Sequence, residues 1–132
     1  ADALDALARK DLDALAGLEK TVPEIAVFQN AYGDLDTVLD ALKGHEMLDQ
    51  ACIDISQVRR GLSAEQISWY CDLGETHGLN YHTGLVFGIY SLKRDQLLVR
   101  GGRYDHVGES FGRARAATGF SADLKTLVRL AN

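Results

Sequence analysis

The sequence predicts an α+β protein: a helical segment, then an antiparallel β-sheet with a C-terminal helix packed on it. Three observations carry this. Residues 1–62 place apolar side chains three and four apart between glycine and aspartate punctuation, 67–73 and 81–91 alternate with period two, and 121–130 returns to helical spacing. A length of 132 residues suffices for one domain with a modest core. Within it the change of period divides a helical segment, 1–62, from a sheet segment, 63–132.

Leu4, Leu7, Leu12 and Leu15 lie near one face of a helix over 2–17, with Asp2, Asp5, Asp11 and Asp13 mostly on others, and Gly17 is expected to end it. Pro23 fits the first position of a second helix that carries Ile25, Phe28 and Tyr32 and closes at Gly33. Asp34 is placed to cap a third, with Leu35, Val38, Leu39 and Leu42 as its stripe and Lys43-Gly44 as its end. His45 to about Arg60 reads as a fourth, although Cys52 to Ile55 also fits an extended segment. Ile67, Trp69, Cys71 and Leu73 then alternate with polar neighbours up to Gly74, a strand expected to pair with 81–91 across a turn at 74–80 with His77 at its tip.

In the second strand Tyr81, Thr83, Leu85, Phe87 and Ile89 form a packing face, and His82, Gly84, Val86, Gly88 and Tyr90 form the other. Glycine inside a strand is unfavourable unless something approaches the backbone closely, so the second face is the expected ligand face. Residues 91–96 have the length and polarity of a hairpin connection, and the next strand runs from Leu97 into Arg100-Gly101-Gly102-Arg103-Tyr104-Asp105. The Gly- and Arg-rich stretch 106–116 has no periodicity and reads as a flexible loop. Ser121 then caps a last helix, with Asp123 in its first turn and Leu124, Leu127 and Val128 facing inward.

Composition bounds the function. No apolar run approaches the ~20 residues of a membrane span, and the first residues lack the pattern of a signal peptide, so a soluble cytoplasmic protein is expected. The chain enters a helical pattern without an initiating Met, which predicts that the natural protein extends further toward its N-terminus. Net charge is −5, but 1–54 hold twelve acidic and four basic residues against seven and ten in 55–132. The cationic half is the one with the ligand-like strand. There Arg100, Arg103, Arg113 and Arg115 surround the glycine pair and suit a carboxylate or phosphate, or else form a solvated loop. An acidic chain without a basic, aromatic-interleaved stripe disfavours nucleic acid. Cys52 and Cys71 read as buried free thiols, and His45, His77, His82 and His106 lack metal-ligand spacing, so neither metal nor cofactor is expected.

The strings Tyr81-His82-Thr83-Gly84-Leu85-Val86-Phe87, Gly101-Gly102-Arg103-Tyr104-Asp105 and Thr118-Gly119-Phe120-Ser121-Ala122-Asp123-Leu124, in this order, resemble the class II histidyl-tRNA synthetase catalytic fold. They are most similar to its non-catalytic paralogues, the regulatory subunits of short-form ATP phosphoribosyltransferase. The resemblance implies part of a class II synthetase-like domain, with Tyr81, His82, Thr83 and Gly84 on a strand and Gly101, Gly102, Arg103 and Tyr104 on a loop around a bound histidine. It also implies departures. The synthetase motif's leading arginine is His77 here, its aspartate is Asn80, its second tyrosine is His82, and the Glu-Arg pair of the last helix is Lys125-Thr126. Adenylate formation needs fixed cations on the phosphates, and a threonine supplies none.

The implied function is therefore a regulatory subunit without catalysis of its own. It would bind histidine as an effector, associate with the short-form ATP phosphoribosyltransferase catalytic subunit, and form a hetero-oligomer and a homodimer. A catalytic fragment of a histidyl-tRNA synthetase is the alternative, marked by an arginine at position 126. A small interaction domain without a ligand is the third reading. His82 either exchanges a hydrogen bond with a ligand imidazole or fills space as a core histidine.

Overall fold

The computed structural model describes residues 6, 7, 9, 11–20, 25–62, 67–75, 82–92 and 96–131. Pro23, the tip of the 74–80 turn with His77, and Tyr81 lie outside the described residues. The chain divides into two units, Ala1–His77 and Gly78–Asn132, and its helices and antiparallel sheets make it an α+β protein.

In the first unit, α1 (Leu12–Glu19) starts at Asp11, whose carboxylate accepts the Ala14 N–H at 3.1 Å. The expected single helix over 2–17 is thus broken at Asp11, and Gly17 lies inside α1 instead of ending it. A glycine in mid-helix costs about 1 kcal/mol. Burial of Leu15, with Leu18 packed beside Ala6, Leu15 and Ile25, outweighs that cost.

The second helix, α2 (Ile25–Asn30), stops before Tyr32, because Tyr32–Asp34 form a strand, β1, and are not the helix end that periodicity implied. Asp34 then caps α3 (Leu35–Ala41) as expected, accepting the Asp36 and Thr37 N–H groups at 3.0 and 3.3 Å. Leu35, Val38 and Leu42 are buried with Ala31 and Cys71 in the main core of this unit. A 3₁₀ turn at Glu46–Leu48 leads into α4 (Asp49–Gly61), so Cys52 to Ile55 are helical. Both terminal nitrogens of Arg59 on α4 donate to the Asp36 carboxylate on α3, the Nη2–Oδ2 bond at 2.8 Å, and hold that carboxyl below the ordinary aspartate value.

The strand predicted around residue 71 is β2 (Tyr70–Asp72), but its partner is β1, not 81–91. Tyr32, Gly33 and Asp34 pair antiparallel with Asp72, Cys71 and Tyr70. The Leu73 N–H to the Ala31 carbonyl (2.9 Å) and the Leu35 N–H to the Trp69 carbonyl (3.3 Å) extend the ladder at both ends. This arrangement buries Cys71 with Leu35, Val38 and Leu42 in the core cluster, which a hairpin with the next strand would not require. Cys71 and half-buried Cys52 are free thiols, both pushed up in pKa chiefly by burial, which keeps them protonated and unreactive.

The second unit is a three-stranded antiparallel sheet in the order β3 (Val86–Ser91), β4 (Gln96–Arg103), β5 (Thr118–Ala122). The predicted hairpin is present, with Ser91 opposite Gln96 and a register shift between Ile89 and Tyr90. The strand is shorter than the alternation implied, since 82–85 lie outside β3. Pairing nevertheless continues irregularly, with the Thr83 N–H on the Arg103 carbonyl (2.9 Å) and the Arg103 N–H on the Leu85 carbonyl (3.0 Å). Phe87 and Ile89, expected on a packing face, are exposed, and so is Tyr90 on the other side.

The stretch 106–116, expected to be a loop without structure, contains a 3₁₀ turn at Val107–Phe111 closed by Gly112 at φ 98°. Its successor, β5, was hidden in what read as the approach to a helix. Ser121 is therefore a strand residue opposite Arg100 and not a cap. The cap of α5 (Leu124–Ala131) is Asp123, which accepts the Lys125 and Thr126 N–H groups at 3.0 and 3.3 Å. The helix is also turned from the expected face: Thr126 is buried and Leu127 half-buried, while Leu124 and Val128 are exposed. Its start is fixed to the sheet by the Asp123 N–H on the Leu98 carbonyl (3.3 Å) and Gln96 Nε2 on Thr126 Oγ1 (3.4 Å). Among the described residues no helix is long and apolar enough to cross a membrane.

Candidate functional site

The predicted site residues gather at the C-terminal end of β4, in two groups. On one face Gly102 stands opposite Gly119 of β5, giving two adjacent positions without side chains. The His82 ring covers the first: a Cβ on Gly102 would sit 2.7 Å from His82 Cδ2 and 2.8 Å from the Leu85 carbonyl oxygen. Tyr104 covers the second, its hydroxyl where a Cβ of Gly119 would project. The two rings meet edge to face, 6.5 Å between centroids at 68°. Gly102 and Gly119 thus form a backbone floor under a histidine and a tyrosine, whereas the glycines anticipated for the ligand face, Gly84 and Gly88, lie against Arg103 and against Tyr90 and Leu97.

The second group centres on Arg103, the next residue of β4, whose side chain points to the opposite face by strand alternation. Its Cδ would lie 3.3 Å from a Cβ on Gly84, so the guanidinium stem rests along that glycine. Gly84 and His82, two positions apart on the expected ligand face, therefore lie against neighbouring residues of β4, and the irregular pairing around Leu85 is the reason. The Arg103 Nε stands 3.7 Å from Asp105 Oδ2, a loose ion pair with half of the arginine side chain exposed. Thr83 Oγ1 accepts the Asp105 N–H at 2.9 Å.

Gly101 is enclosed from both neighbouring strands. A Cβ there would lie 2.8 Å from both Phe87 Cε1 and Phe120 Cβ, and would also meet the Gly119 carbonyl. Arg100 is exposed in mid-strand, and Arg113 and Arg115 are exposed beyond the 3₁₀ turn. Tyr81 lies outside the described residues.

Three further contributors were not among the expected site residues. Asp105 connects the loop to Thr83, Gly119 completes the floor, and Asp123 closes the start of α5. Gly119 carried a signal, because a glycine between Thr118 and Phe120 interrupts a β-prone run as Gly88 does. Chemically, this region offers a half-exposed guanidinium for a carboxylate and two aromatic rings with polar edges packed over glycine backbone.

The start of α5 offers the opposite. The N-terminus of a helix carries partial positive charge that favours anions. Here it faces the protein's own Asp123 carboxylate, which is held below its ordinary value chiefly by the 2.8 Å bond from the Thr126 hydroxyl. Among the described residues no group of three or more metal-ligating side chains gathers.

Residues 1–127 match the family model described as histidyl-tRNA synthetase. Curated relatives bearing the name ATP phosphoribosyltransferase regulatory subunit include one from Pseudomonas syringae, 42% identical over 137 residues. Others come from Stutzerimonas stutzeri, 41% identical over 139, and Pseudomonas entomophila, 37% identical over 146. Each alignment covers 96% of this chain and 35% of the relative, so the chain spans about a third of the length of the curated relatives it matches. With a family match over nearly its whole length and relatives of this one name, the chain belongs to the histidyl-tRNA synthetase family.

Proposed function

We propose that this chain is a portion of the regulatory subunit of a short-form ATP phosphoribosyltransferase, and that the subunit binds histidine as an effector without activating it. The names of the relatives support the regulatory role. The observation that carries the absence of synthetase chemistry is Thr126. It stands where the synthetase resemblance calls for an ATP-binding arginine, it is 6% exposed, and its hydroxyl is committed to the Asp123 carboxylate. A carboxylate at that helix start repels a triphosphate, and Thr126 supplies no charge in the arginine's place.

Under this reading the amino-acid half of the site survives. Arg103 takes the ligand carboxylate, with Gly84 and Thr83 beside it. His82 and Tyr104 supply polar ring edges near the Gly101-Gly102 backbone, and Tyr81 belongs to the same set. The fold is part of a class II synthetase-like domain, with 1–62 as its helical segment and 63–132 as part of its sheet. The partner is the short-form catalytic subunit in a cytoplasmic hetro-oligomer that also contains a homodimer of this subunit.

The test against a synthetase fragment is histidine-dependent exchange of pyrophosphate into ATP. Purified full-length protein is expected to give no exchange above a no-histidine blank, while binding histidine in calorimetric titration. Robust exchange would overturn the reading in favour of the synthetase.

A further inference from the structure

Asp105 contacts Arg103 and Thr83 of the second group while being no part of the ligand set. Its Oδ1 accepts the Ala117 N–H at 2.9 Å, its backbone N–H donates to Thr83 Oγ1 at 2.9 Å, and its backbone carbonyl accepts the Arg115 N–H at 3.2 Å. The Tyr104 N–H on the Ala117 carbonyl (2.9 Å) lies alongside. Together these bonds close the 106–116 loop at its base and tie it to Thr83. Its second carboxylate oxygen, Oδ2, faces Arg103 Nε at 3.7 Å, beyond the 2.7–2.9 Å of a tight charge-assisted bond.

We infer that Asp105 is a positioning residue for the ligand carboxylate: it steers the Arg103 guanidinium from its Nε side, leaving the terminal Nη pair to bind, and holds Thr83 beside it. The inference rests on the histidine-binding reading above. A tight bidentate pair between Asp105 and Arg103 would satisfy the guanidinium internally. The observed geometry does not, because Oδ1 is committed to Ala117 and only Oδ2 approaches Arg103. The carboxylate is thereby oriented by a backbone group, one oxygen toward Ala117 and the other toward the arginine. Preorganisation of this kind raises affinity by lowering the ordering cost paid on binding.

The test is histidine titration of the full-length protein as wild type, Asp105→Ala, Asp105→Asn, Arg103→Ala and the double alanine variant, each with a thermal melt. Asp105→Ala is expected to weaken histidine by up to about tenfold, the ordering cost of one long side chain that preorganisation no longer offsets. Asp105→Asn keeps an oxygen for the Ala117 N–H and should recover most of that loss. The double variant should bind no more weakly than Arg103→Ala alone, since both act through one guanidinium. Wild-type affinity in folded Asp105→Ala overturns the inference, as do fully additive losses in the double variant. Should Asp105→Ala fail to fold, the Asn variant decides: affinity as low as that of Arg103→Ala also overturns it. Absence of histidine binding by wild type instead removes the functional reading itself, and the inference with it.

Discussion

Arg103→Ala lowers the affinity of the full-length protein for histidine by about ten- to a hundredfold, the range of one charge-assisted contact worth roughly 1.5–3 kcal/mol. A free amino acid brings one carboxylate, and Arg103 ends β4 with half its side chain exposed and its stem along Gly84. The competing role is structural. Arg103 is also the neighbour of Asp105, and a purely structural pair would lower the melting temperature and leave binding by the folded protein unchanged. That contribution is small here, because an exposed ion pair is worth about 0–1 kcal/mol. Arg94→Ala, between β3 and β4 in sequence, is the control that removes a cation outside the predicted site residues. Gly84→Val should reproduce the loss, since a branched side chain there displaces the Arg103 stem that lies 3.3 Å from the Cβ position. Isothermal titration beside thermal melts on these variants separates the two roles, and an Arg103→Ala protein that binds histidine like wild type removes the carboxylate assignment.

Gly101→Val destabilises the sheet unit by about 3 kcal/mol or more, at the upper end of overpacking costs. The reason is enclosure and not flexibility. A Cβ at Gly101 meets Phe87 Cε1 and Phe120 Cβ, both at 2.8 Å, as well as the Gly119 carbonyl, which as backbone cannot move without breaking the β4–β5 register. Gly17 supplies the contrast within the same chain. It is helical with nothing within 4 Å of its Cβ position, so Gly17→Ala should stabilise by about 0.5–1 kcal/mol. Chemical denaturation of the full-length variants measures both. A Gly101→Val protein as stable as wild type would mean that β4 and β5 do not pair in this register.

Periodicity located most of the elements and misread their ends, for reasons that particular residues make plain. Asp34 and its leucine stripe were legible because cap, spacing and burial agree at that helix. Tyr32 and Gly33 were not, since Tyr32 falls at a helical spacing from Phe28 and only the pairing with Asp72 and Cys71 makes it a strand. Pairing between strands far apart in sequence leaves no local mark, which is also why β2 was matched with the wrong partner. In the last helix the leucines suggested an inward face, but Asp123 and Thr126 set the cap and turned Leu124 and Val128 outward.

The site was legible as strings and only partly as geometry. His82, Gly102, Arg103 and Tyr104 do gather at the end of β4. Strict alternation put Gly84 on the face of His82, and the irregular pairing at Leu85 moves it beside Arg103. No alternation rule locates such an irregularity in advance. Asp105 was invisible as an organiser, because its partners are backbone groups at 115 and 117 and a hydroxyl at 83.

Under the proposed function the protein acts on a partner enzyme and not on a substrate of its own. The most direct test is the turnover of the short-form ATP phosphoribosyltransferase catalytic subunit from the same organism, measured with and without the full-length protein at micromolar concentrations. The account predicts that turnover rises when the protein is added and that histidine lowers the stimulated rate. An unchanged rate, with no complex formed between the two proteins, would contradict it.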